Sequence, residues 1–172
     1  MTAIKSRISI VLPVYNAKNT IKKCLEGIEN QTISDWKLLV VDDGSTDETG
    51  IILDTYAERD SRIIIYHREN QGVSESRNYA ISMIDTPYFV CVDSDDYIFP
   101  DYLEILLEAK RKFPDYYNIW SGFQTVESQK QIKEKNIYYL QMRNIHLKKE
   151  MIYYFYIMHG WFKCLGTNYM IQ

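Results

Sequence analysis

The sequence predicts an α/β fold, a mainly parallel central sheet flanked by helices on both faces. Short apolar runs alternate four times with segments whose apolar residues recur at helical spacing, the pattern of strand–helix–strand units. The size of the chain agrees: 172 residues suit one domain, and 46% apolar with 25% charged residues describe an ordinary globular protein.

Taken in order, Ile8-Ser9-Ile10-Val11-Leu12 reads as a buried strand that Pro13 is expected to stop, because proline brings no N–H to a ladder. Ile21, Leu25 and Ile28 mark a helix ending near Gln31-Thr32, and Trp36 to Val41 makes a second strand. Ser45 followed three places later by Glu48 is a capping box, which starts the next helix there and carries it to about Arg59. Ile63 to Tyr66 is the third strand. Asn70-Gln71-Gly72-Val73 then turns the chain, and Ser74 is expected to cap a helix bearing Ala80, Ile81 and Ile84. Tyr88 to Val92 is the fourth strand. Pro100 suits the first position of the helix that follows, whose apolar face is Leu103, Leu106 and Leu107. Beyond residue 115 the pattern weakens: Tyr116 to Phe123 reads as a fifth strand, Glu127 to Lys135 as an exposed loop, and Asn144 to Met158 as helical.

A net charge of -3 excludes a nucleic-acid-coating role, since no basic excess is available to displace counterions. No run reaches the roughly 18 apolar residues of a membrane span, and Met1 to Arg7 lacks the apolar stretch of a signal peptide. Cys24, Cys91 and Cys164 are far apart and odd in number, which suits reduced thiols in a cytoplasmic setting. His67, His146 and His159 show no ligand spacing and read as surface or tail residues. The expectation is a soluble, cytoplasmic protein that touches a membrane only peripherally.

The chemistry concentrates at Asp93-Ser94-Asp95-Asp96, where the fourth strand ends. Strand residues two apart point the same way, so Asp93 and Asp95 are expected to project together, and crowded carboxylates repel unless a cation lies between them. Read alone, the stretch is equally a solvated acidic turn. Pro13 to Asn16, Asp42 to Asp47 and Asn70 to Arg77 also lie beyond strand ends, where sites form in such sheets. Four polar segments distant in sequence are therefore expected to meet along one edge.

Pro13-Val14-Tyr15-Asn16, Asp42-Asp43-Gly44-Ser45-Thr46-Asp47, Asn70-x-Gly72-Val73-Ser74-x-Ser76-Arg77-Asn78 and Asp93-Ser94-Asp95-Asp96, in this order, resemble the motifs of family 2 glycosyltransferases. The resemblance covers roughly residues 8 to 112. It implies a GT-A-like fold, a UDP-sugar donor, a glycan or lipid-linked acceptor, a divalent cofactor (Mn2+ or Mg2+) and inversion at the sugar carbon, with surface polysaccharide synthesis as a setting. It implies that Tyr15 lies beside the nucleobase on a loop shaped by Pro13 and continued by Asn16. Asp43 would accept from the uracil ring, and Asp42 would orient that loop or touch the same nucleotide. Arg77, one turn into its helix, opposes the helix dipole unless an anion is near; the nucleotide or the acidic strand ends would supply one. Asp93 and Ser94 would face the ribose, Asp95 would bind the metal directly, and Asp96 would share it with Asp93.

Inverting transfer also needs a base for the acceptor proton. No carboxylate after Asp96 matches one, Glu127, Glu134 and Glu150 reading as solvated charges. Trp161-Phe162-Lys163 resembles a Trp-x-Lys element of the family. Residues 1–115 thus read as the donor-binding part and 116–172 as the start of an incomplete acceptor-side part within one domain. Two alternatives stand beside this. One is a nucleotide-sugar-binding module without turnover. The other is a sugar-phosphate nucleotidyltransferase, which should show a Gly-rich basic loop where Pro13-Val14-Tyr15-Asn16-Ala17 stands. A dinucleotide-dependent dehydrogenase is disfavoured, because no G-x-G-x-x-G follows a strand.

Overall fold

Seven consecutive buried residues form β1 (Ile8–Val14), and the sheet is built outward from it. The computed structural model describes residues 7–114 and two short strands, 118–120 and 169–171. β1 pairs in parallel with β2 (Trp36–Asp42) on one side and with β4 (Tyr88–Cys91) on the other, and β2 pairs in parallel with β3 (Ile63–His67). Beyond β4 lie β5 (Asn118–Trp120) and β6 (Tyr169–Ile171), both antiparallel to their neighbours, giving the order β3-β2-β1-β4-β6-β5. A parallel strand buried on both faces is mostly apolar, which is why these strands stand out as near-continuous runs.

Handedness decides which face each helix covers. The chain steps from β1 to β2 to β3 in one direction, then returns past β1 to β4. Right-handed crossovers therefore place α1 (Ile21–Glu29) and α2 (Thr49–Arg59) on one face and α3 (Val73–Ser82) on the other. Ile21, Leu25, Leu53 and Tyr56 accordingly share a core with Ile10, Leu12, Leu38 and Val40, which Leu103 and Leu106 of α4 (Tyr102–Lys112) complete. Ala80 and Ile81 of α3 meet Val11, Leu39, Val41 and Phe89 on the opposite face. The reversal of direction falls between β1 and β4. Open α/β sheets bind ligands beyond the carboxyl ends of the strands at such a reversal.

Several expected boundaries move, each for a physical reason. Pro13 does not stop β1 but lies buried within it, opposite Val41. Val11 uses its carbonyl toward β4, accepting from Val92 N–H, so Pro13, two residues on, turns its missing donor to that same side. Register with β4 has ended there at Val11–Cys91, and no ladder bond is lost. The Ser45–Glu48 capping box does not form: α2 begins at Thr49, whose N–H is taken by Asp47 Oδ1 at 2.9 Å, while Glu48 pairs with Lys18 at 2.9 Å. Ser74 is not a cap either, since α3 starts at Val73 after Gly72. Pro100 precedes α4 in a turn instead of opening it, and β4 ends one residue earlier than expected. The expected strand from Tyr116 to Phe123 is described only as β5, and β6 carried no readable signal. Glu127 to Lys135, Asn144 to Met158 and Trp161 to Lys163 lie outside the described residues.

Among the described residues two glycines hold positive φ, Gly44 at 74° and Gly72 at 92°. A Cβ at Gly72 would meet nothing within 4 Å, whereas one at Gly44 would come within 2.9 Å of Asn70 N and 3.2 Å of Arg68 O. Gly72→Ala should therefore cost only backbone strain, about 1–2 kcal/mol, and Gly44→Ala about 3 kcal/mol because the facing backbone must shift. Urea midpoints of the two variants check this; equal losses would contradict it.

Candidate functional site

The loops that follow the four parallel strands are tied to one another at the carboxyl edge of the sheet. Asp43 N–H donates to Val14 O at 2.8 Å, Asn16 N–H to Ser45 Oγ at 3.0 Å, and Thr46 N–H to Asn16 Oδ1 at 2.8 Å, which joins the first loop to the second. Asn16 adopts a φ of 48°, a left-handed conformation that asparagine tolerates, and this turns its side chain onto the neighbouring loop. The second loop is joined to the third through Asp43. One carboxylate oxygen accepts from Gln71 N–H at 2.9 Å and the other from Gly72 N–H at 2.8 Å, so Asp43 provides the acceptor at the start of α3 that Ser74 does not. The third segment is joined to the fourth by Arg77 of α3, which donates to Asp93 Oδ1 at 2.5 Å. Four segments far apart in sequence thus form one continuous rim.

Asp42, 4% exposed, organises the outer edge of this rim. Its Oδ1 accepts from Ser45 N–H at 3.0 Å and its carbonyl from Arg68 N–H at 2.9 Å. Its Oδ2 lies 2.8 Å from His67 Nδ1, while His67 Nε2 lies 3.0 Å from Asp54 Oδ1. His67 was expected to be an ordinary surface residue. Its partners are 25 and 13 residues away, and only the pairing of the ends of β2 and β3 brings Asp42 opposite it. Both bonds require both ring nitrogens to carry protons, so the bond to Asp54 and then that to Asp42 raise the His67 pKa above its ordinary 6.5, against partial burial. A folded-state pKa above the unfolded one gives stability that is fully present below pH 6.5 and is lost as pH rises through the folded value. The pair is half exposed, so the expected difference is under about 1 kcal/mol. It should be the part of the stability difference between pH 6 and pH 8.5 that disappears in His67→Gln, measured by urea unfolding; an identical pH dependence in the two proteins would contradict it.

The acidic segment does not continue the strand. β4 ends at Cys91, and Asp96 N–H bonds back to Asp93 O at 3.0 Å, closing a turn. The strand alternation expected to carry Asp93 and Asp95 is therefore corrected: both lie in a turn beyond the end of β4. Among the described residues no group of three or more His, Cys, Asp or Glu is arranged to hold a metal. Asp93 is engaged by Arg77, whereas the Asp95 side chain is exposed, and no described residue pairs with it. Beneath the turn, the Cys24 thiol approaches Asp93 O at 3.6 Å. Its pKa is driven far up, first by burial and then by the charges of Asp96, Asp95 and Asp93. The three carboxylates thus add negative charge around the thiol, second in effect to its burial.

The other candidate residues divide by exposure. Tyr15 is 51% exposed at the rim, Ser94 is half-buried in the acidic turn, and Pro13 is enclosed in β1 below it. Thr49, fully buried, is a support that the sequence did not reveal: its hydroxyl accepts from Ala17 N–H at 2.8 Å. Only the fold places it there, because Ala17 is 32 residues away. No described helix is long and apolar enough to cross a membrane.

Comparison with known proteins agrees with this geometry. The chain is 41% identical over 103 residues to the glycosyltransferase GlyA of Streptococcus pneumoniae, a match that covers 60% of this chain and 15% of that protein. It is 36% identical over 105 residues to a chondroitin synthase of Escherichia coli, covering 61% of this chain and 15% of the relative. The chain therefore spans only a small part of these curated relatives. Among solved structures, residues 1–349 of TarS from S. aureus in complex with UDP-GlcNAc superpose with a TM-score of 0.60 at 26% identity, over 72% of this chain and 36% of that one. The mainly parallel α/β sheet is that of the GT-A glycosyltransferases. The model of glycosyl transferase family 2 matches residues 9–166, and the chain belongs to that family.

Proposed function

We propose that this chain acts in moving a sugar from a UDP-sugar to a hydroxyl of a glycan or lipid-linked acceptor, as in surface polysaccharide synthesis. The observation that carries the reading is the rim itself, where loops after β1, β2, β3 and β4 are hydrogen-bonded into one edge of the sheet. TarS, which shares the fold, binds UDP-GlcNAc, and a chondroitin synthase is among the relatives. In this reading residues 1–115 bind the donor and residues 116–172 begin the acceptor side.

Each rim residue has a part in this reading. Tyr15 offers its exposed ring to the base, while Asn16, Asp42 and the enclosed Pro13 hold the loops around it. Asp43 uses one lone pair of each oxygen on the amides of Gln71 and Gly72; a carboxylate keeps others, which would accept from the uracil edge. In this reading Arg77, Asp93 and Ser94 would meet the ribose and diphosphate.

The acidic turn also suits a divalent cation. Mg2+ and Mn2+ prefer carboxylate oxygen, keep several waters and take only one or two protein carboxylates when phosphates complete their shell. Asp95, exposed and with no partner among the described residues, supplies such a donor set together with its sequence neighbours Asp96 and Asp93. Asp95 would be the direct ligand, with Asp93 and Asp96 supporting it. Bound there, the ion would supply charge to offset that growing on the departing UDP. The protein's own contribution is to orient the nucleotide so that an acceptor hydroxyl reaches the sugar carbon from the opposite side, which gives inversion.

Release of UDP from a panel of UDP-sugars, with and without an acceptor glycan, tests this. Manganese-stimulated UDP release that acceptor accelerates is the expected result. Binding without any release would favour a nucleotide-sugar-binding module, and equal release from GDP-sugars would contradict the donor assignment.

A further inference from the structure

Residues 93–101 carry the acidic turn and then run to α4 without a strand or helix of their own. The turn half of this segment is fixed by Val92 N–H on Val11 O and by Cys24 beneath Asp93. The other half is held by Gln31, which lies two residues past the end of α1 and is 8% exposed. Its amide nitrogen donates to Gly27 O at 2.9 Å and to Phe99 O at 2.7 Å, and its amide oxygen accepts from Leu103 N–H at 2.9 Å. Leu103 is the second residue of α4, so its N–H is one of the donors a helix cannot satisfy internally. Asp101, the residue at the local cap position, makes no side-chain cap bond. Gln31 therefore caps α4 from 72 residues away and grips the segment leading into it.

The surroundings reinforce the grip. Thr32 N–H donates to Pro100 O at 2.7 Å, and its hydroxyl donates to Glu104 Oε2 at 2.7 Å. Gly27 leaves room for the segment: a Cβ there would lie 3.0 Å from Ile98 O and 3.1 Å from the Tyr97 ring. A planar amide using both N–H groups and one lone pair fixes three backbone groups in one geometry.

We propose that Gln31 is a positioning residue for the acidic turn, setting where the Asp95 and Asp96 carboxylates stand relative to α1 and hence how well a cation and diphosphate are held together. This rests on the donor-site reading above. The test uses Gln31→Met, which keeps the side chain's length but none of its bonds, and Gln31→Glu, which keeps the acceptor for Leu103 N–H; whichever remains folded by circular dichroism is taken forward. Two readouts are compared with wild type: UDP affinity with and without manganese, and hydrogen exchange of the amides of residues 93–103 against those of β1 and β2. The expected result is a manganese enhancement of UDP affinity reduced by about tenfold, as when an outer partner of a metal ligand is lost. Metal-free UDP affinity should stay within about twofold, and exchange should rise only in residues 93–103. An unchanged enhancement, or equal losses with and without metal alongside faster exchange throughout the sheet, would overturn the proposal. Should wild type bind UDP no better with manganese, the donor-site reading fails on its own. Exchange then decides whether Gln31 positions the turn, and an unchanged or sheet-wide pattern overturns that as well.

Discussion

Replacing Asp43 with alanine is expected to cost about 3 kcal/mol of stability and to abolish nucleotide binding. The carboxylate is buried, and it accepts from Gln71 N–H and Gly72 N–H across the junction of two loops. Hydrogen bonds to a charged group contribute roughly 1.5–3 kcal/mol each, and removing the acceptor leaves two amides without it. Alanine also frees the turn that starts α3, so Arg77 loses its fixed approach to Asp93. Asp43→Asn separates the two consequences. An amide oxygen can accept from one of the two N–H groups, so about half of the stability should return, whereas an edge that presents N–H in place of oxygen suits the uracil ring poorly. Urea unfolding and nucleotide titration of both variants check this. A midpoint unchanged in Asp43→Ala would show that the loops are held by other means.

Asp95→Ala is expected to do the opposite, leaving stability within about 0.5 kcal/mol because the side chain is exposed and unpaired among the described residues. Its effect should fall on metal-dependent donor binding. Loss of an outer hydrogen-bonding partner already costs a metal site roughly 10- to 100-fold, so loss of the direct ligand should cost at least that much. The thermal shift produced by UDP with manganese should vanish in this variant, while that produced by UDP alone should be retained. A full shift with manganese would remove Asp95 from the metal site. Together the two variants separate a carboxylate that builds the rim from one that the rim presents.

The strands were legible because burial makes most of their residues apolar, as in β1, whose seven buried residues are polar only at Ser9. The alternation with helices then fixed the fold class, and the strand-end rule drew attention to the segments that form the rim. Helix starts were less legible because their acceptors come from elsewhere in the chain. Asp43 serves the start of α3 from 29 residues away, and Gln31 serves α4 from 72. Ser45, which reads as a local cap, is instead drawn onto Asn16. Pro13 was misread as a stop because only the neighbouring strand shows which edge its missing N–H faces. His67 carries no motif, since its two carboxylates reach it through the pairing of β2 with β3 and the packing of α2. β6 has three residues, and its place beside β4 follows from pairing across the length of the chain.

Calorimetric titration of the wild-type chain with UDP, ADP and GDP, each with and without manganese, tests the joining of these loops into a donor site most directly. The account predicts that UDP binds, that manganese tightens it, and that neither purine nucleotide gains comparably. Indifference to every nucleotide in both conditions would contradict it.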